Sequence, residues 1–148
     1  MKPDDLIGVR WLTIQYCEKV TLPVKNLMDM KGVTLENIND IEFIHSEESA
    51  IYAKHFTHTN FIIKNSTLQK FFYKTSKLSR IDALTFDGVK VTDEIEVSNV
   101  EIDNLTISNC RINKIRQEAL DVKVTNVLKI QNNTFKEVES NAFKKLRY

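Results

Sequence analysis

Three histidines in the middle of the chain are the residues best suited to metal chemistry. His55 and His58 lie three residues apart, and His45 and Glu47 precede them. Zinc is held by three or four ligands that converge on the ion, and neither of the two cysteines is close to this segment in sequence. We therefore expect loop histidines here, with no metal ion and no cofactor.

The sequence carries no motif that would support nucleophilic or phosphoryl-transfer chemistry. It contains no nucleophile elbow, no phosphate-binding loop and no H-E-x-x-H helix. Acidic pairs such as Asp93 and Glu94 are adjacent residues, which point to opposite sides of an extended backbone and cannot act on one substrate atom. We expect no catalytic residues and no enzymatic activity.

Asparagine supplies the one modification chemistry that the sequence suggests. Possible N-glycosylation sites occur at Asn65, Asn104 and Asn132, each followed two residues later by threonine. Composition alone gives roughly two such motifs by chance. The three motifs therefore do not by themselves indicate secretion.

Charge and hydropathy exclude two classes of partner. The net charge is +1, with 21 basic and 20 acidic residues interspersed, whereas phosphate binding needs a concentrated basic surface. No apolar run approaches the length of a membrane span. We expect no nucleic acid partner and no membrane insertion. The first residues, MKPDD, do not form a signal peptide.

The elements that would position these residues are internal repeats. Residues 128–146 read LKIQNNTFKEVESNAFKKL, a short apolar strand followed by a polar turn and an irregular return. Similar starts recur every 20 to 23 residues, and an earlier one lies further upstream, within the spacing of a leucine-rich repeat. The predicted strands are 12–14, 41–43, 61–63, 84–86, 105–107 and 128–130.

These frames predict one domain, residues 1–148, with an α/β-type solenoid fold. Its parallel strands form a concave sheet in a right-handed coil of five or six repeats, because parallel crossovers are almost always right-handed. The return segments are expected to be irregular or short helices, one of them within residues 24–37. The last repeat is not followed by a polar capping unit, so we expect a fragment of a longer array or a short array that caps itself against a partner.

A polar or small residue is expected to face inward at each turn, where its side chain meets backbone groups that would otherwise lack partners. This set comprises Cys17, Ser46, Ser66, Val89, Cys110 and Asn133. The two cysteines lie four repeats apart in this register, roughly 19 Å at the strand spacing, too far for a disulfide. We expect two buried free thiols.

The residues that face outward from the predicted strands form the candidate binding surface on the concave side. They are Glu42, Ile44, Ile62, Lys64, Thr85, Asp87, Thr106, Ser108, Lys129 and Gln131. The three glycosylation motifs lie on or beside this surface.

Two stretches resemble extracellular leucine-rich-repeat proteins of arthropods. The segment FIIKNSTLQKF at residues 61–71 is similar to the opening repeats of insect haemolymph immune proteins, and NNTFKEVESNAFKKL at residues 132–146 is similar to the A-F-x-x-L repeat found in Toll ectodomains. The resemblance implies a secreted, non-catalytic module of innate immunity. It also implies a protein partner, either a complement-like protein or another leucine-rich-repeat chain.

Other functions remain open on the sequence. The chain could be an ectodomain fragment of a Toll-like or adhesion receptor, or a structural or dimerisation module. A parallel β-helix enzyme that acts on polysaccharide would show similar stacked strands, but it should also group Asp, Lys and Arg residues in one groove. The sequence shows no such group.

Overall fold

The computed structural model describes residues 6–28, 30–45 and 59–148, which form ten strands and one short helix. In chain order the elements are β1 (Trp11–Gln15), β2 (Lys19–Pro23), α1 (Val24–Met28), β3 (Gly32–Glu36), β4 (Asp40–Ile44), β5 (Asn60–Lys64), β6 (Thr67–Asp87), β7 (Lys90–Ser108), β8 (Arg111–Ile115), β9 (Leu120–Gln131) and β10 (Thr134–Val138).

All strand pairs among the described residues are parallel, and they stack into a solenoid with three sheet faces. Face A contains β1, β3 and β5, followed by the carboxyl-terminal parts of β6, β7 and β9. Face B contains β2 and β4, the amino-terminal parts of β6 and β7, and then β8 and β10. Face C is formed by residues 79–81 of β6, 100–102 of β7 and 122–124 of β9.

Alternating side chains explain why these segments form strands with one buried side. In β5, Phe61 and Ile63 are fully buried, whereas the residues between and beside them reach the surface. The same alternation places Leu68, Val91 and Ile112 one above the other inside face B. Apolar side chains therefore form continuous columns along the coil, and their burial stabilises the stack.

Each turn of the coil, called a level here, contributes one strand to face A. The corner between faces A and B is made in the same way at every level. Each face-A strand is followed by a residue with a left-handed backbone, which turns the chain towards face B. These residues are Tyr16, Asn37, Asn65, Gly88, Asn109 and Asn132, with φ between 47° and 67°. Asparagine and glycine adopt this conformation most readily, so the local sequence suits the corner.

Aromatic rings fill the middle of the coil. Phe71 lies 5.3 Å, centroid to centroid, from both Phe43 and Phe86, and 5.5 Å from Phe61. Two of these contacts are edge-to-face, a favourable ring geometry. One contiguous apolar cluster extends from Leu6 to Ala142 through these rings.

The predicted solenoid of parallel strands is confirmed, with one error of register. Segments 12–14, 61–63, 84–86, 105–107 and 128–130 all lie in face A. Segment 41–43 does not, because β4 pairs with β2 and β6 in face B. The face-A strand of that level is β3, eight residues earlier in the chain.

The return segments also differ from the prediction of irregular or helical structure. They are mostly strands of faces B and C, and α1 is the one helix in the described ranges. It lies within the segment where a short helix was expected, but β3 occupies the end of that segment. The right hand of the coil stays a prediction. No helix in the described residues has the length and apolar character required to cross a lipid bilayer.

Candidate functional site

Face A presents two neighbouring columns of outward side chains, one residue from each level. The central column contains Thr13, Thr34, Ile62, Thr85, Thr106 and Lys129. The corner column, next to face B, contains Gln15, Glu36, Lys64, Asp87, Ser108 and Gln131. Successive residues of a column are separated by the spacing of hydrogen-bonded strands, about 4.8 Å.

Eight of the ten predicted surface residues lie together in these two columns. They are Ile62, Lys64, Thr85, Asp87, Thr106, Ser108, Lys129 and Gln131. Ser108 differs from the prediction in one respect, because its side chain is buried and not at the surface. Glu42 and Ile44 do not join them, because β4 belongs to face B. There, a carboxylate oxygen of Glu42 is 3.3 Å from the Lys19 ammonium, and Ile44 is exposed.

Side-chain hydrogen bonds along the corner column fix several of its members. The Gln15 amide donates to the Glu36 carboxylate at 2.7 Å. Asp87 Oδ1 accepts from the Asn109 amide at 2.9 Å and from the Ser108 hydroxyl at 3.4 Å. This side of face A is therefore held in place before any partner binds.

The face-A residues of the first two levels were missed by the sequence reasoning. A threonine flanked by apolar residues marks four of the six levels, at Leu12-Thr13-Ile14, Val33-Thr34-Leu35, Leu84-Thr85-Phe86 and Leu105-Thr106-Ile107. The same pattern occurs at Val20-Thr21-Leu22 in face B, so the motif alone does not separate the two faces.

Trp11 lies at the edge of face A and is 67% exposed. Its ring covers Gly32, the next residue in its column, so closely that a β-carbon at Gly32 would meet the indole. A large amphipathic side chain is thus presented beside the central column.

The possible glycosylation sites occupy two different settings. Asn65 and Asn132 are exposed left-handed corner residues between faces A and B. Asn104 lies on face A, and its side-chain oxygen accepts a hydrogen bond from the Asn126 amide at 2.9 Å. Use of these sites stays a prediction.

The inward residues after the corners bind backbone groups where they are polar, as predicted, whereas Val89 and Ile38 fill this position with apolar side chains. Ser66 Oγ donates to the Lys64 carbonyl at 2.7 Å and accepts from the Ile38 amide at 3.1 Å. Asn133 accepts from the Cys110 amide at 2.9 Å and donates to the Ile107 carbonyl at 2.7 Å. Ile38 holds the position assigned to Ser46, which lies outside the described residues.

Both cysteines are free, as predicted, but only one is fully buried. Cys110 is enclosed, and this burial raises the pKa of its thiol. Cys17, in the first level, is partly exposed rather than buried.

Opposite charges stack on face C. Glu101 lies between Arg80 and Lys123, at 3.9 Å and 3.3 Å, and Arg80 also contacts Asp103 at 2.9 Å. This face therefore presents little net charge to a partner.

Metal ligands do not converge in the part of the chain that the structure describes: no group of three His, Cys, Asp or Glu side chains is close enough there to hold an ion. His55, His58 and Glu47 lie outside that part. His45 accepts a hydrogen bond through Nε2 from the Phe72 amide at 3.1 Å.

Three comparisons with known proteins find nothing similar to this chain. No family model matches it, and no curated protein or solved structure matches it.

Proposed function

We propose that this chain is a non-catalytic, extracellular recognition module that binds a protein partner through face A. The observation that carries the proposal is the alignment of eight predicted surface residues in two adjacent columns. These columns stand on a sheet whose backbone groups are hydrogen-bonded between levels, so the surface is ordered before binding and little conformational entropy is lost on association.

The chemistry of face A suits selective protein binding. Glu36, Lys64 and Asp87 alternate in charge along the corner column, which favours one complementary partner without a strong overall field. Threonine hydroxyls occupy the central column. Trp11 adds an exposed aromatic side chain at the edge, and tryptophan is enriched among the residues that dominate binding energy.

A narrower form of the proposal is a secreted leucine-rich-repeat protein of arthropod innate immunity, or a Toll-like or adhesion ectodomain fragment. Its support is the repeat period, since side chains in contact between levels are 21 to 23 residues apart in sequence, together with the resemblance of residues 61–71 and 132–146. The partner in this case is a complement-like protein or another leucine-rich-repeat chain.

Face A is tested by pull-down from the native fluid with two variant proteins. One combines Lys64→Ala, Asp87→Ala, Thr106→Ala and Lys129→Ala. The control combines Lys123→Ala on face C with Thr125→Ala and Lys144→Ala. We expect the face-A set to weaken partner capture by roughly tenfold or more, because it removes contacts across the centre of the interface. Loss with the control set and not with the face-A set would place the partner elsewhere.

A second candidate is a polysaccharide-acting parallel β-helix, favoured by strands on three sides and by one mixed-charge depression. On face B, Asp40, Glu42 and His45 line a depression of about 300 Å³ together with Lys19 and Lys70. Release of reducing ends from polysaccharides that disappears with Asp40→Asn and Glu42→Gln would support this function. Unchanged release with both variants would count against it.

A further inference from the structure

Face B carries a second surface feature, a shallow groove of about 440 Å³. It crosses the strands of β7, β8 and β10, where Lys90, Arg111 and the first residue of β10 are in register. The residues that line it are Lys90, Val91, Thr92, Arg111, Ile112, Asn113, Thr134 and Lys136. Val91 and Ile112 are buried, so the exposed part of the lining comes from the other six.

The three cations of this groove are exposed and have no carboxylate partner among the described residues. The acidic residues nearest in sequence are already engaged. Asp87 accepts hydrogen bonds from Ser108 and Asn109, Asp93 is 3.3 Å from Lys70, and Glu137 is 3.2 Å from Lys114. Face C neutralises its charges, whereas the groove concentrates three positive charges on a chain whose net charge is +1. This excess charge is available to a ligand.

The spacing of the cations indicates the form of that ligand. Lys90 and Arg111 are neighbours across two paired strands, about 4.8 Å apart at the backbone. Lys136 stands on the next strand and two residues further along it, roughly 8 Å diagonally from Arg111. Anionic groups that contact all three must therefore be spread over a distance of several ångströms, as in a chain of charged units.

We propose that this groove binds a linear polyanionic glycan, whose sugars carry sulfate or carboxylate groups. The cations would contact the anionic groups, and the hydroxyl and amide groups of Thr92, Thr134 and Asn113 can both donate to and accept from sugar hydroxyls. Lysine and arginine also bring aliphatic stems, on which the C–H faces of sugar rings can pack.

An acidic peptide and a nucleic acid fit this groove less well. A peptide gains much of its affinity by adding a strand to a sheet edge, but the groove lies on the face of a sheet whose backbone is engaged in its own ladder. Single-stranded nucleic acid needs aromatic side chains for base stacking, and none lines the groove. The surface, separate from face A, therefore favours a glycan.

The proposal is tested with the full chain produced in bacteria, where the Asn132 motif next to Thr134 carries no glycan. The groove variant combines Lys90→Gln, Arg111→Gln and Lys136→Gln. Its control combines Lys31→Gln, Lys74→Gln and Lys144→Gln, which removes the same charge from exposed lysines outside the groove. Urea unfolding of both variants verifies that the coil is intact. Binding is measured by calorimetry with heparin, polygalacturonate, neutral dextran, poly-glutamate and single-stranded DNA.

We expect binding to heparin, polygalacturonate or both, at least roughly tenfold weaker for the groove variant, little changed for the control and weakened by salt. Preference for heparin would identify sulfate as the recognised group, and preference for polygalacturonate would identify carboxylate. The proposal is overturned if neither glycan binds, if both variants lose affinity equally, or if poly-glutamate or DNA binds as tightly as the glycans.

Discussion

His45 shows how one titratable residue ties stability to pH. Its Nε2 accepts a hydrogen bond from the backbone amide of Phe72, and the centroids of the two rings are 5.3 Å apart. Burial, and to a smaller extent the charge of Lys70, lowers the pKa of this imidazole from its usual 6.5. The folded protein therefore binds a proton at His45 less readily than the unfolded chain does.

The expected outcome is a loss of stability as the pH falls below about 6.5, where the unfolded chain takes up the proton first. Above that pH the contribution of His45 is fully present. Urea unfolding at pH 7.5 and at acidic pH should show this slope for the native sequence and a smaller one for His45→Gln, which cannot titrate. Identical slopes for the two proteins would show that His45 is not responsible.

At the scale of elements, the corner between faces A and B stacks one level tightly on the next. Gly88 has φ +67°, and a β-carbon added there would lie 2.5 Å from Oδ1 of Asn65 in the level above. An alanine at this position is therefore unfavourable for two reasons. The left-handed backbone costs an L-residue about 1–2 kcal/mol, and the new methyl group would clash with the Asn65 side chain.

We predict that Gly88→Ala lowers the free energy of unfolding by about 2 kcal/mol, the backbone cost together with the contact. In an Asn65→Gly background the same substitution should cost less, because only the backbone part remains. A double-mutant cycle by urea unfolding measures the difference. If the two substitutions change the free energy of unfolding additively, the Asn65 side chain moves away from the new methyl group at no cost.

Strand positions could be predicted from the sequence because alternation of apolar residues is a local property. Which face a strand joins is not local. Val33-Thr34-Leu35 and Ile41-Glu42-Phe43 alternate equally well, and only the pairing with other levels separates face A from face B. For the same reason, eight of the ten candidate site residues were grouped correctly and Glu42 and Ile44 were not.

The cationic groove could not be predicted from the sequence. Lys90, Arg111 and Lys136 are separated by more than 20 residues from one to the next, and each looks like an ordinary surface charge. These three residues form one cationic groove only because the strand register aligns β7, β8 and β10. Within the described part of the chain their charges are unpaired, because the neighbouring acidic residues form ion pairs or hydrogen bonds elsewhere.

At the scale of the whole molecule, the core is enclosed most completely in the middle levels. Phe71 is fully buried among three other phenylalanines, whereas Phe135, in the last level, is only partly buried and lies 6.1 Å from Phe143. The apolar area removed from water per side chain is therefore larger at the centre of the coil.

We predict that Phe71→Ala lowers the free energy of unfolding by about 3–5 kcal/mol, the usual cost of a large cavity in a core. Phe135→Ala should cost roughly half as much, because its ring already contacts solvent. The comparison is made by urea unfolding monitored by circular dichroism. Equal losses at the two positions would mean that the last level is enclosed as well as the middle one.

The order of the levels also decides how the molecule would carry tension. The first and last described strands lie at opposite ends of the stack, and the hydrogen bonds between levels run along the line that joins those ends. Force applied to the two termini would therefore break the hydrogen bonds of one level at a time, and not those of many levels at once. Most levels contain 21 to 23 residues, so the release of each would lengthen the molecule by roughly 70–80 Å. The level from Thr34 to Ile62 contains 28 residues and would give one longer step under force.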